Sequence, residues 1–513
     1  MTAGLRRYLY CTAGTTGAAI MIVEILGAKM LAPYVGTSHF VWTAQIAVTL
    51  VALAAGYYAG GRLVDRSPKL GKMYGCVLVA AIYLCGSVVA VKSVAYWCLD
   101  FKLALGSLLA SAFLFFVPLA LLAMVGPFFV RMLTVSVSGV GGNVGRLTAL
   151  STLGSFVGTV LIGYVLIPFF PNSYTMYFTA LLLMLIVGVY FFVWEIKSRS
   201  KSAVVAAIVA GGLCGYAGIR QEHRRTSTEW VERFRGNSNF GLLQVVDNQN
   251  GTRRYYLNDY LTQNIYDPAA KKSTTLFTYM LHDLARAYTP RIESALCIGL
   301  GMGIVPTQLA REGVRVDVVE INPAIVTVAK SYFDCEPEKF NIVFGDGRHY
   351  VNRATNLYDT ILLDAFLGDS SPSHLMTREA FDSMRRLLKP GGTLIINSFV
   401  GFRHGKDFFG ASLDKTLRAA FKSVRIHAIN PEDINNVFFV ASDQSGLRIG
   451  VLPDYAQVHP ERRDSVKAAF DSVIEANPRD GIVLTDDYNP VEFYDAANRE
   501  AIRRNLAMSM RSL

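Results

Sequence analysis

Four short stretches in the second half of the chain carry glycines or acids where a strand should end. "CIGLGMG" (297–303) sets Gly299, Gly301 and Gly303 between an apolar run and a helix-like segment, so the backbone can turn tightly and a ligand can approach it. "VDVVEINP" ends a second apolar run in Glu320, about 20 residues on, where a carboxylate accepts hydrogen bonds from ribose hydroxyls. "FGDGRHY" places Asp346 and Gly347 after the next run, within reach of an adenine amino group, and "ILLDAF" ends a fourth run in Asp364. Taken singly, each acid could cap a helix and the glycines could form an ordinary turn. Taken as a set, at successive strand ends of one sheet, they make a single crevice.

The elements that must position these residues are legible in the periodicity. From about Arg220, "NFGLLQVVD", "RRYYLN" and "YLTQNI" are short alternating runs separated by "NQNG", a β-hairpin module over 221–265. After the helix-like "TTLFTYMLHDLARAY", strands and helices alternate through 266–513, which predicts a doubly wound, largely parallel α/β sheet of Rossmann type. "LKPGGTLII" closes a helix and opens a strand.

The first 220 residues have a different texture. With 513 residues the chain exceeds one ordinary domain, and 52% apolar against 18% charged residues, with a mean hydropathy of +0.31, points to partial burial in lipid. Apolar segments near 9–31, 40–60, 74–97, 105–130, 147–169 and 174–194 are long enough to span a bilayer, and one near 203–219 is shorter. The region 1–220 is therefore expected to be a multi-span helical domain of six or seven crossings in a cell membrane.

The net charge of +10 sits in this half, with 15 Lys+Arg against 4 Asp+Glu through Arg220 and 35 against 36 beyond it. It flanks apolar segments, so it sets topology and meets lipid headgroups rather than tracking a nucleic acid. Arg6, Arg7, "GRLVDRSPKLGK" and "KSRSK" are expected on the cytoplasmic side. Six crossings then leave the second half cytoplasmic, the expected face, and seven would put it outside. The cysteines form no CxxC or His/Cys cluster, so neither zinc nor a disulfide framework is expected.

The order of these motifs over 238–400 resembles the spermidine synthases and related aminopropyltransferases, which share their fold with S-adenosylmethionine-dependent methyltransferases. The stretches 17–66 and 145–168, with "LTDDYNPVE", resemble the bacterial membrane-fused members of that group. The resemblance implies that S-adenosylmethionine or its decarboxylated form is the co-substrate, that an amine or polyamine is the acceptor, and that no metal takes part. It implies Gln263 and Tyr279 at the aminopropyl arm, Gly299–Gly303 around the methionine-derived part, Glu320 on the ribose, Asp346 on the adenine and Asp364 as catalytic acid/base.

The implied chemistry is attack of an amine on the carbon beside a sulfonium, with methylthioadenosine leaving. Two positions depart from the family pattern. Met302 stands where an Asp usually grips the donor's amino group, and the second acid of the catalytic stretch, Asp369, comes five residues after Asp364 rather than three. Asp486 and Asp487 could supply charge for a cationic substrate, or could merely form a turn before Pro490. His374 reads as an exposed loop residue, and Glu24 is an acid inside the first span. A methyltransferase, an intramolecular reaction releasing methylthioadenosine, and a non-catalytic polyamine transporter or sensor are the competing readings. Self-association into a homodimer is left open.

Overall fold

The computed structural model describes residues 1–36, 39–134, 139–195, 198–222, 229–366, 372–403, 407–476, 481–494 and 496–509. The chain divides into two compact units, Met1–Arg225 and Thr226–Leu513.

Among the described residues, the first unit contains seven helices long and apolar enough to cross a membrane: Ala3–Val35, Val41–Arg66, Leu70–Cys98, Leu103–Leu133, Val140–Phe169, Asn172–Val193 and Lys201–Arg220. The seventh, short in the sequence reading, is a helix from Ser198 to Glu222 whose apolar stretch reaches the length of a span. It runs antiparallel along its predecessor, with Gly188 beside Ile208, Gly211 beside Met184 and Gly218 beside Tyr177.

Small residues bring the helices together. A Cβ on Gly154 would run into the carbonyl of Gly14, one on Gly17 into that of Ser151, and one on Gly56 into that of Ala120. Ser155 Oγ donates to the Gly17 carbonyl at 3.1 Å across the same contact. Gly56 and Gly60 of "GYYAGG" and Gly154 and Gly158 of "STLGSFVGT" thus sit on helix-packing faces, as those small-residue runs suggest.

The second unit opens with five antiparallel strands in sequential order: β1 (Trp230–Ser238), β2 (Gly241–Asn248), β3 (Arg254–Asn258), β4 (Leu261–Asp267) and β5 (Lys272–Ser273). This sheet runs past residue 265 to Ser273. Asp259 and Tyr260, at φ 49° and 61°, make the two-residue turn between β3 and β4 that matches strand twist.

The main sheet follows: β6 (Ser294–Ile298), β7 (Arg315–Glu320), β8 (Asn341–Phe344), β9 (Tyr358–Leu363), β10 (Leu388–Val400), β11 (Ser423–Ala428), β12 (Asn435–Ser442) and β13 (Val473–Ile474), in the order β13-β11-β12-β10-β9-β6-β7-β8. The strands β8, β7, β6, β9 and β10 are mutually parallel, and β12, β11 and β13 extend the β10 edge antiparallel.

Both faces of this sheet are covered, as parallel sheets require. Along β6, Ala295 and Cys297 join one core with the helices Leu276–Tyr288, Ile304–Arg311 and Pro323–Tyr332. Leu296 and Ile298 join the other, with Arg378–Arg386 and Phe408–Ala420. Two-residue periodicity thus sorts each strand between two buried layers. From β6 the chain moves outward to β7 and β8 and then returns to β9 on the other side. The order reverses between β6 and β9, the switch point where such sheets leave a crevice beyond the carboxyl ends of their strands.

Candidate active site

The reversal fixes where the motifs meet. Ile298, at the end of β6, pairs with Leu363, at the end of β9, and the Asp364 N–H donates to the Ile298 carbonyl at 3.0 Å. The loop after β6 and the acid after β9 are therefore neighbours. Gly299 has φ 99°, and a Cβ there would strike the Asp364 carbonyl, so only glycine permits this approach. Gly303 (φ 69°) is the left-handed residue that starts the helix Ile304–Arg311.

Glu320 ends β7 and is 5% exposed. One of its oxygens accepts from the Leu300 N–H at 2.8 Å and the other from the Asn322 N–H at 2.7 Å. Burial raises its pKa, and those N–H groups pull it back. Each oxygen keeps a second lone pair, so the carboxylate can still accept a pair of hydroxyls. Asp346 caps the helix Gly347–Arg353 through the His349 N–H (2.9 Å), and its other oxygen meets His374 Nε2 at 3.0 Å. Burial pushes its pKa up, but those partners outweigh burial and hold it below the usual value. A helix cap and a wall of the crevice are here one residue.

Asp364 is the most perturbed of the three, with burial pushing its pKa up to about 6 while a hydrogen bond from Asn397 opposes the rise. That bond, from Asn397 Nδ2 to Asp364 Oδ1, is 2.8 Å, and Asn397 Oδ1 in turn accepts from Asn436 Nδ2 at 2.8 Å. The amide supplied by β12 thus orients the one on β10, which orients the acid on β9. Phe366 and Phe399 meet edge to face beside it, ring centroids 6.1 Å apart.

Asp364, Glu320, Asp346, Gly347, Gly299, Gly301 and Gln263 all line one cavity of about 370 Å³. The remaining candidates do not. Tyr279 is buried with its hydroxyl donating to the Ser273 carbonyl (2.6 Å) and accepting from the His459 N–H (3.2 Å), so it braces the wall from behind. Gly303 shapes the loop without lining the cavity. Asp486 pairs with Arg348 at 2.6 Å and accepts from the Thr377 hydroxyl at 2.6 Å, which ties down the C-terminal turn; neither it nor Asp487 lines the cavity. Asp369 lies outside the described residues.

Sequence reasoning missed Asn397, Asn436 and Arg462, all cavity-lining, and did not place His374 at the cavity, which it also lines. His374 is exposed, as expected, and its ring in addition bonds Asp346. Asn397, Asn436 and Arg462 had no local signal, since each reaches the cavity from an element remote in sequence.

A parallel sheet with a glycine loop and three strand-end acids around one cavity defines an α/β domain of the fold shared by spermidine synthases and methyltransferases. Residues 275–436 carry the spermine/spermidine synthase domain. The chain is 41% identical over 140 residues to the polyamine aminopropyltransferase of Vibrio vulnificus (strain CMCP6), covering 26% of this chain and 46% of that protein. It is 30% identical over 196 residues to the N-terminal histidine N-methyltransferase of Emericella nidulans, covering 35% of this chain and 34% of that one. The chain thus spans less than half the length of either relative. Among solved structures, a spermidine synthase from Thermotoga maritima aligns with a TM-score of 0.34 at 17% identity, covering 48% of this chain and 82% of that one.

Proposed function

We propose that this chain is a membrane-anchored, spermidine-synthase-like transferase. It moves the aminopropyl-type arm of S-adenosylmethionine, or of its decarboxylated form, to an amine and releases methylthioadenosine. The observation that carries this reading is that Asp364, Glu320 and Asp346 line the same cavity as the glycine loop at the sheet's switch point. Glu320 receives the ribose hydroxyls, Asp346 the adenine amino group, and Gly299 and Gly301 the methionine-derived part. Gln263, on the wall formed by β4, faces the arm.

Asp364 serves the chemistry. An ammonium cannot attack, so the acceptor must lose a proton as its nitrogen closes on the carbon beside sulfur. The same dry wall that pushes Asp364 up to about 6 lowers the pKa of an ammonium brought against it, which narrows the gap the proton must cross. Alignment of nitrogen, carbon and sulfur supplies most of the remaining acceleration.

Incubating the purified protein with each donor and a panel of amines, then separating the nucleosides, tests the proposal. Methylthioadenosine supports it. The second reading, a methyltransferase on the same sheet, is favoured by the similarity to the histidine methyltransferase and would yield S-adenosylhomocysteine instead.

The α/β unit is assigned to the cytoplasmic face, where an adenosyl sulfonium is made. With seven crossings this puts Arg6 and Arg7 outside, against the charge bias, and with six it agrees. Protease access to tags at each end in sealed vesicles distinguishes the two.

A further inference from the structure

Arg462 is the one Lys or Arg among the described residues that lines the cavity. It is half-buried, and its Nε donates to the Thr274 carbonyl at 2.6 Å. The Thr274 N–H donates in turn to the Ile265 carbonyl at 2.8 Å, so the guanidinium is docked on β4, two residues from Gln263. Among the described residues no carboxylate pairs with it, and its two terminal nitrogens make no hydrogen bond to the protein.

The three acids of the cavity already have partners: Glu320 two backbone N–H groups, Asp346 the His349 N–H and His374, Asp364 the Asn397 amide. A guanidinium fork in that state is a receptor for a carboxylate, which it can bind through two parallel hydrogen bonds. The glycine loop points the same way. Met302 is 3% exposed within the apolar core, so the loop offers no acid to an arm bearing only an ammonium.

We propose that the donor arm ends in a carboxylate, held by Arg462: the cavity takes intact S-adenosylmethionine in preference to its decarboxylated form. This rests on the reading of the cavity as an adenosyl-sulfonium site. The transferred group is then a 3-amino-3-carboxypropyl arm. The acceptor nitrogen forms the new bond to the arm's sulfur-bound carbon, the bond from that carbon to sulfur breaks, and its electron pair stays on sulfur in neutral methylthioadenosine. The proton lost by the acceptor passes to Asp364.

Calorimetry on the full chain in detergent, with methylthioadenosine, S-adenosylmethionine and decarboxylated S-adenosylmethionine as titrants, tests this. The wild type should bind the carboxylated donor at least tenfold more tightly than the decarboxylated one. Arg462→Gln should weaken the carboxylated donor about 10- to 100-fold and methylthioadenosine less than twofold, with Arg462→Lys in between.

Equal affinity of the wild type for both donors would overturn the proposal. So would a uniform loss for all three nucleosides in Arg462→Gln, which would mean the residue only braces Thr274. Unchanged donor binding with a raised KM for a carboxylated amine, and not for its decarboxylated counterpart, would assign the guanidinium to the acceptor and overturn it as well. Failure of even methylthioadenosine to bind would instead remove the adenosyl-sulfonium reading itself.

Discussion

Replacing Asp364 with Asn should remove activity and add stability at once. In the folded chain this carboxyl titrates near pH 6 rather than at its ordinary 3.8, chiefly through burial. Folding thus strengthens its hold on a proton. The stability it contributes is fully present below pH 4 and is lost as the pH climbs through 6. A shift of about two pKa units corresponds to up to about 3 kcal/mol, so at pH 7 the ionised group costs that much relative to a neutral amide of the same shape. Asn keeps an oxygen for the Asn397 amide, so the exchange leaves the local geometry intact.

Methylthioadenosine release, followed by chromatography at saturating acceptor, should fall about 10²- to 10⁴-fold in Asp364→Asn, the range for loss of a general acid/base. Melting monitored at pH 7 should move upward, and the gain should shrink toward pH 4. In the wild type, release should drop about tenfold per pH unit below 6 and level off above it. Turnover by the variant within threefold of wild type, or a wild-type profile flat between pH 5 and 7, would refute the reasoning.

Asn397→Ala removes a donor that favours ionised Asp364, so the acid limb of the same profile should move to higher pH. Glu320→Ala should weaken methylthioadenosine binding at least tenfold by calorimetry, since it removes the proposed ribose acceptor and the partner of the Leu300 and Asn322 N–H groups. Gly299→Ala combines φ 99° with a Cβ driven into the Asp364 carbonyl, so a loss of several kcal/mol of stability, or no soluble folded unit, is expected in a denaturant titration. In the helical unit, Gly154→Val should pry its helix from Gly14 and lower the melting temperature in detergent, while a valine at Gly142, where a Cβ meets nothing, should leave it unchanged.

What sequence alone determined about this protein is what local pattern dictates. An apolar run ending in an acid, repeated at strand-and-helix spacing, sufficed for Glu320, Asp346 and Asp364, because parallel strands align their carboxyl ends by construction. Continuous hydrophobicity sufficed for six of the seven long apolar helices among the described residues, because an unbroken apolar run of about 20 residues is legible without tertiary context.

Tertiary structure decided what lies between remote segments. Asn436 reaches Asp364 through Asn397 only because β12 runs antiparallel beside β10, and Arg462 reaches the cavity only because Thr274 offers it a carbonyl. Tyr279 and Asp486 show the converse, side chains of suitable type whose polar groups are spent on Ser273 and His459, or on Arg348 and Thr377. Side-chain type is a local property, whereas a polar group's partner depends on which strands and loops the fold brings within about 3 Å of it.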